Sequence, residues 1–386
     1  MLNGKNRRFD FVADGRARPK YEQLRQYILD ELLAGRLSPG DMLPTEVELA
    51  SLFRVARNTV RQALYRLDEE GLVRRVRGKG TYISQPVRHS MPTGQESFAL
   101  VLPDTTGGHC PNLVQGFVRA ATEANSHALV NDTLNEVDKQ AGIFLKLLSS
   151  RPAGVALVPA LEPCPPNQIQ LLQQAGIGVV FCHRPVEGVR APLLEMPYLE
   201  VMRTAGTAVA LRGHRRIALI TSIRSATFGI YVEGLRAAVA PFGATISDRW
   251  VYVGEGQSLD IHRREQSLRV FLRSIMSAED APTAVVTTFD SIAEAVYMLL
   301  GELGVRVPED VSLIGFGGTR RDSALLRRLT SVVIDGEAVG KEAYRVLKEI
   351  HDGDRPLEDD ARMVLPVGFY EGQTLAGVQD ALPARN

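Results

Sequence analysis

Cysteine is scarce in this chain. Only Cys110, Cys164 and Cys182 occur in 386 residues, none close to another, which leaves no disulfide framework and no zinc-ligand spacing. Long apolar runs are missing too: no stretch approaches the roughly 20 residues of a membrane-spanning helix. The opening MLNGKNRRFDFVADGRARPK lacks the apolar core of a signal peptide. Together these absences predict a cytoplasmic protein with no membrane partner. Net charge is absent as well, at +0 with 45 residues of each sign. The balance hides an asymmetry, because residues 1–88 carry 17 Lys/Arg against 11 Asp/Glu, leaving 28 against 34 for the remainder. A positive N-terminal part on a negative body suits a DNA reader, since a basic body would favour non-specific binding. The length predicts two or three domains.

The rest of the chain is equipment for residues 41–83. Thr45, with Glu48 three residues on, forms a capping box at a helix start. The short helix buries Leu49 and Phe53 and breaks at Arg54-Val55. A second helix places Val60, Ala63, Leu64 and Leu67 on one apolar stripe. Its other face carries Arg57, Asn58, Arg61 and Gln62, with the two arginines one turn apart. Gly71 ends that helix. Two β-rich runs at 72–76 and 81–83 then flank Arg77-Gly78-Lys79-Gly80, a basic hairpin tip whose glycines let backbone approach a phosphate. Helix, turn, helix and basic hairpin make a winged helix-turn-helix with its second helix aimed at a major groove. Arginine there can grip guanine, and Asn or Gln adenine. The alternative, a small helical domain with a solvated charged face, does not explain paired arginines beside a Gly-Lys-Gly wing.

This segment resembles the DNA-binding domain of the GntR superfamily of bacterial repressors. The resemblance rests on Leu43-Pro44-Thr45-Glu46, Arg57, Thr59-Val60-Arg61, Ala63-Leu64, Glu70-Gly71-Leu72-Val73 and Gly78-Lys79-Gly80-Thr81. It implies DNA contacts from Thr45, Glu46, Arg57, Asn58, Thr59, Arg61, Gln62, Arg77, Gly78, Lys79, Gly80 and Thr81. Two departures stand out. Ala56 replaces the usual Ser, so the recognition helix loses a cap worth about 1 kcal/mol. Val47 replaces a polar or arginine side chain, which removes one contact.

Before the head lies a basic stretch, residues 1–18, which reads as a flexible tail or a minor-groove arm; a first helix from 20 to 34 buries Tyr21, Leu24, Ile28 and Leu32. After it, residues 85–97 are polar, contain Pro and Gly, and show no periodicity, as a linker would. From 98 onward short apolar runs alternate with helical periods in two successive series, which predicts an α/β body of two lobes with doubly wound parallel sheets. A cleft between the carboxyl ends of the strands is where such sheets bind ligands.

Residues 98–375 resemble the effector domain of LacI-family repressors, which shares the type I periplasmic-binding-protein-like fold. The strongest pieces are Gly213-His214-Arg215-Arg216-Ile217-Ala218-Leu219-Ile220, the run from Leu303 to Phe316, and Leu329-Thr330-Ser331-Val332. A GntR-type head on a LacI-type body is similar to the architecture of the arabinose repressors; residues 376–386 form a tail. The resemblance implies a homodimer on a two-fold symmetric operator, with a small-molecule effector such as a carbohydrate derivative. The family's hinge helix is absent, so its hinge mechanism does not carry over.

The same resemblance locates sugar contacts. An arginine usually sits three residues before the glycine matched by Gly234, where this chain has Tyr231. An Asn-Asp pair appears as Phe289-Asp290, and a Gly-Phe/Tyr-Asp segment as Gly315-Phe316-Gly317. Asp290 reads either as a ligand contact or as the N-cap of the following helix. Further cleft candidates are Asp104, His109, His183, Arg184 and Ser222. Two Cys/His pairs, His109-Cys110 and Cys182-His183, raise a metal reading, but their spacings fit no zinc pattern and no metal is expected. The expected function is a DNA-binding repressor needing no cofactor, either effector-controlled or with a body that only dimerises. A pyridoxal-phosphate enzyme body, known in some GntR relatives, needs a Schiff-base lysine, and this C-terminal half is poor in lysine. A transport-type binding protein would not carry a winged helix.

Overall fold

The structure, a computed structural model, describes residues 19–33, 36–37, 40–69, 72–76, 78–84, 96–105, 110–160, 164–221, 227–254 and 261–378, with backbone alone at 261–264. The expected N-terminal arm, most of the linker, Arg77, His109 and Ser222 lie outside the described residues.

Three helices build the head: α1 (Lys20–Leu33), α2 (Glu46–Phe53) and α3 (Arg57–Glu69), followed by β1 (Val73–Val76) and β2 (Gly80–Ile83). Thr45 caps α2 in a complete capping box: its hydroxyl accepts from the Glu48 amide at 3.3 Å and its own amide donates to the Glu48 carboxylate at 2.8 Å. Arg54 ends α2 in the left-handed region at φ 50°, its N–H returning to the carbonyls of Ala50 and Ser51. That reversal turns α3 across α2. Leu24, Ile28 and Leu29 then meet Leu49, Phe53, Val60, Ala63, Leu64 and Leu67 in one core. The antiparallel pairing of β1 with β2 sets Arg75 opposite Thr81 and Val76 opposite Gly80.

The body opens with β3 (Ser97–Leu102), α4 (Cys110–Glu123), β4 (His127–Asp132), α5 (Val137–Ser150), β5 (Gly154–Leu157), α6 (Pro166–Gln174), β6 (Gly178–His183) and β7 (Leu193–Glu195). A second series runs α7 (Tyr198–Leu211), β8 (Ile217–Thr221), α8 (Phe228–Val239), β9 (Val251–Val253), α9 (Ile261–Met276), β10 (Ala284–Thr287), α10 (Asp290–Glu302), β11 (Ser312–Gly318), α11 (Ala324–Arg328) and β12 (Thr330–Ile334). The chain closes with α12 (Gly336–Asp352), β13 (Arg362–Val364) and β14 (Gly368–Tyr370). One six-stranded sheet has the order β13-β7-β6-β5-β3-β4, the other β14-β12-β11-β10-β8-β9. Every pairing is parallel except β12 with β14.

Both sheets are covered on both faces, as near-continuous apolar strands require. Phe144, Ile169 and Leu172 cover one face of the first sheet, while Leu113, Phe117 and Leu347 cover the other. In the second, Leu272 of α9 with Val296 and Leu300 of α10 cover one face, and Met202, Leu235 and Val239 lie opposite. The chain passes between lobes after β7, after β12 and after β13. The head also touches the body: Leu145 of α5 packs on the head core, Leu72 approaches Gly142, and Arg25 lies 3.9 Å from Asp138.

Differences from the sequence reading concern short elements. β7 and α11 were not anticipated. At the C-terminal end β13 joins the first lobe and β14 the second. Phe289, rather than Asp290, is the N-cap of α10, and it makes no side-chain cap bond. The capping role for Asp290 is thereby corrected, because its carboxylate is bonded to other side chains.

Candidate nucleic-acid interface and effector cleft

Arg57, Asn58, Arg61 and Gln62 are all exposed on the outer face of α3, and Thr59 is partly buried. Ala56 precedes the helix and offers only its carbonyl, which accepts from the Thr59 and Val60 amides. Glu46 lies at the centre of the basic face. Its carboxylate is 3.2 Å from the Arg61 guanidinium, 3.7 Å from Arg75 and 4.0 Å from Arg57. Exposed pairs of this kind add about 0–1 kcal/mol, so the arrangement matters for aiming the arginines more than for stability. Arg75, which donates to the Arg61 carbonyl at 3.3 Å, was missed. The signal was there in Val73-Arg74-Arg75-Val76, where strand alternation sends neighbouring arginines to opposite faces.

At the wing, Gly78 adopts φ +74° with open space where a side chain would stand, and Gly80 adopts φ +122° beneath Met42. Both torsions suit glycine. Lys79 is exposed, its amide bonded to the Val76 carbonyl and its carbonyl accepting from Tyr82. Thr45 is exposed and Thr81 partly buried. The head thus brings ten of its twelve candidates onto α2, α3 and the wing with polar or charged groups outward or at the rim; Thr59 is partly covered, and Arg77 is not among the described residues.

Cleft candidates gather at the carboxyl ends of strands. Asp104 is exposed after β3. His183 ends β6, buried and at φ +73°, its carbonyl accepting from the Met196 amide. Arg184 donates to the Pro159 carbonyl and to the Tyr198 hydroxyl, so a first-lobe arginine ties down the start of the second lobe. Tyr231 is 3% exposed, bonded to Thr227 and set edge-on to Tyr198 with centroids 5.6 Å apart. Burial pushes both phenols upward. Phe289 is partly buried and stacks on Phe316 at 6.3 Å.

Asp290 and Gly317 prove to be one feature. The Asp290 carboxylate lies over β11, so that a Cβ at either Gly315 or Gly317 would overlap its oxygens. Oδ1 accepts from Ser331 at 2.6 Å and Oδ2 from Arg321 Nη1 at 2.6 Å. Burial pushes the Asp290 carboxyl up, while the Ser331 hydroxyl and Arg321 oppose it. Arg321 was missed by the sequence reading, and nothing local could have found it 31 residues from its partner. Across the lobes, Asn112 of α4 abuts Gly318, and Arg320 bonds Gln115.

Burial pushes the Cys110 and Cys182 thiols up to about 12, so they stay protonated at neutral pH. On the surface, Glu96, His351 and Asp352 come together, but the Lys348 ammonium already bonds both acids, at 3.1 and 2.6 Å.

Comparison with known proteins follows the same division. Residues 20–83 match the gntR family of bacterial regulatory proteins, and residues 208–375 match the periplasmic binding protein-like domain. An arabinose metabolism transcriptional repressor of Geobacillus stearothermophilus is 25% identical over 339 residues, covering 85% of this chain and 90% of the relative. That of Halalkalibacterium halodurans is 22% identical over 374 residues, covering 93% and 99%. Among solved structures, a transcriptional regulator CelR–cellobiose complex superposes with a TM-score of 0.60 at 21% identity, covering 86% of this chain and all of that one.

Proposed function

Since this chain is a DNA-binding transcriptional regulator, a gntR-family head on a periplasmic-binding-protein-like body, we propose that it is a cytoplasmic, homodimeric repressor released from or recruited to a two-fold symmetric operator by a small molecule held between its lobes. It acts by binding and not by catalysis, with no cofactor. One observation carries the DNA reading. Arg57 and Arg61 lie one turn apart on the exposed face of α3, and a glycine-flanked Lys79 is exposed on the wing. Arginines so placed read base edges, and a wing lysine holds phosphate.

Fluorescence anisotropy with operator and random duplexes tests it. Arg57→Ala and Arg61→Ala should each weaken operator binding by about 1–3 kcal/mol and relax specificity locally. Lys79→Ala should weaken both duplexes alike and flatten the salt dependence. Identical behaviour of Arg57→Ala and Lys79→Ala on both DNAs would refute this docking. The two-fold arrangement predicts a dimer in sedimentation that survives removal of residues 1–88; a monomeric body at micromolar concentration would refute it.

The relatives are named for arabinose metabolism, and one solved neighbour holds cellobiose, which supports an effector of carbohydrate type or origin. A second reading, a body that only dimerises, is favoured by Tyr231, Phe289 and Gly317 at positions where sugar-binding relatives place polar groups. A thermal-shift screen separates the two, because ligand at 100 times its dissociation constant adds about 2.7 kcal/mol to stability.

A further inference from the structure

Arg321 lies three residues beyond the end of β11, at the carboxyl ends of the second lobe's strands. Its side chain is 7% exposed. One face of the guanidinium covers the Tyr370 ring at 4.6 Å, and Nη1 donates to Asp290. Nε and Nη2 are buried and have no hydrogen-bond partner. These two N–H groups share one edge of the planar guanidinium and project in parallel, the geometry that grips carboxylate or phosphate through two bonds at once. A buried donor left unmade is costly, and native structures seldom tolerate it without a ligand or water. Asp290 meets the guanidinium through Nη1 and not through that edge, its oxygens accepting from Ser331 and from Nη1.

We propose that the Nε–Nη2 edge of Arg321 anchors an oxyanion of the effector, carboxylate or phosphate, so that this cleft takes an acidic small molecule and not a neutral sugar. The proposal rests on the cleft being the effector site. It accounts for two features together. The positions expected to bond neutral hydroxyls are Tyr231, Phe289 and Gly317, and the Arg321 donor edge left without a partner at this strand end, among the described residues, suits an anion. Asp290 takes Nη1 and Tyr370 takes one face of the guanidinium, which leaves the side edge unpaired.

Calorimetry and thermal shift on the full chain, at constant ionic strength, provide the test. The acidic probes are D-gluconate, D-glucuronate and D-glucose 6-phosphate; the neutral ones are D-glucose, L-arabinose and cellobiose. Wild-type protein should bind at least one acidic probe and respond weakly to the neutral ones, with the sugar acids and the phosphate distinguishing the two anion classes. Arg321→Lys keeps a cation for Asp290 but loses the paired edge, and should weaken the acidic probe by about tenfold or more while operator binding without probe is unchanged. Fluorescence of Trp250 reports whether the lobe is folded. If Arg321→Lys does not fold, Asp290→Asn, which leaves the edge in place, should retain binding of the acidic probe. Acidic probes bound equally by wild type and Arg321→Lys would overturn the anchor, as would loss of binding in a folded Asp290→Asn. Neutral sugars bound tightly, with acids ignored, would overturn the anchor and leave the effector cleft standing. No response to any probe would overturn the cleft reading, and the anchor with it.

Discussion

Removing the Asp290 carboxylate isolates what the ion pair does for the second lobe. In Asp290→Ala the Arg321 guanidinium loses its 2.6 Å partner while 93% of its side chain remains covered, given the 7% exposure. Ser331 loses its acceptor in the same step. Breaking a buried pair from one side costs about 3–5 kcal/mol, because the surviving charge has no compensation. Removing both charges is a different matter. Burial pushes the Asp290 carboxyl up against its favourable partners, and desolvating a buried pair offsets much of its attraction. Asp290→Ala combined with Arg321→Met should therefore recover most of the loss, to within about 1 kcal/mol of wild type. Urea unfolding followed at Trp250 is the appropriate assay: it is the sole tryptophan and lies buried in the same lobe. Its transition reports this lobe without requiring the whole chain to unfold in one step. An Asp290→Ala midpoint equal to wild type would refute the argument. So would a double variant no more stable than the single, since the loss would then come from cavity and not from stranded charge.

Other consequences are narrower. Gly317→Ala places a Cβ on the Asp290 carboxylate and should destabilise the lobe by about 1–3 kcal/mol, whereas Gly78→Ala meets no neighbour and is strained only by its positive φ; equal melting temperatures for Gly317→Ala and wild type would contradict the geometry. His214 is buried between Thr283 and the Ala376 carbonyl, and burial lowers its pKa despite that carbonyl. With the folded value below the unfolded one, the unfolded chain takes up the proton first. Stability should fall as pH drops through about 6.5, and His214→Gln should flatten that slope in pH-dependent melts.

Much of the architecture was legible because it is local. The capping box, the apolar stripe of α3 and the Gly-Lys-Gly wing each span fewer than about 14 residues, within the reach of helix and hairpin rules. Strands buried on both faces read as apolar runs for the same reason. What escaped depends on partners distant in sequence. β7 has three residues, and only its pairing with β6 and β13 makes it a strand. Gly317 looked like a lost carboxylate, and Asp290 like a cap or a ligand contact. Only folding shows one filling the room left by the other, with Arg321 closing the pair. Arg75 escaped because strand alternation sets its side, but the distance to Glu46 depends on how the wing leans on α2.

The contact between head and α5 bears on how far apart two operator half-sites can be. A head on a free tether samples many separations, and its reach grows roughly as the square root of tether length. A head held by Leu72 near Gly142, Leu145 in its core and Arg25 near Asp138 behaves as the end of a ruler. On a dimer built this way, inserting a few residues between 85 and 95 would leave the favoured spacing unchanged, and reversing the charge at Asp138 would blur it.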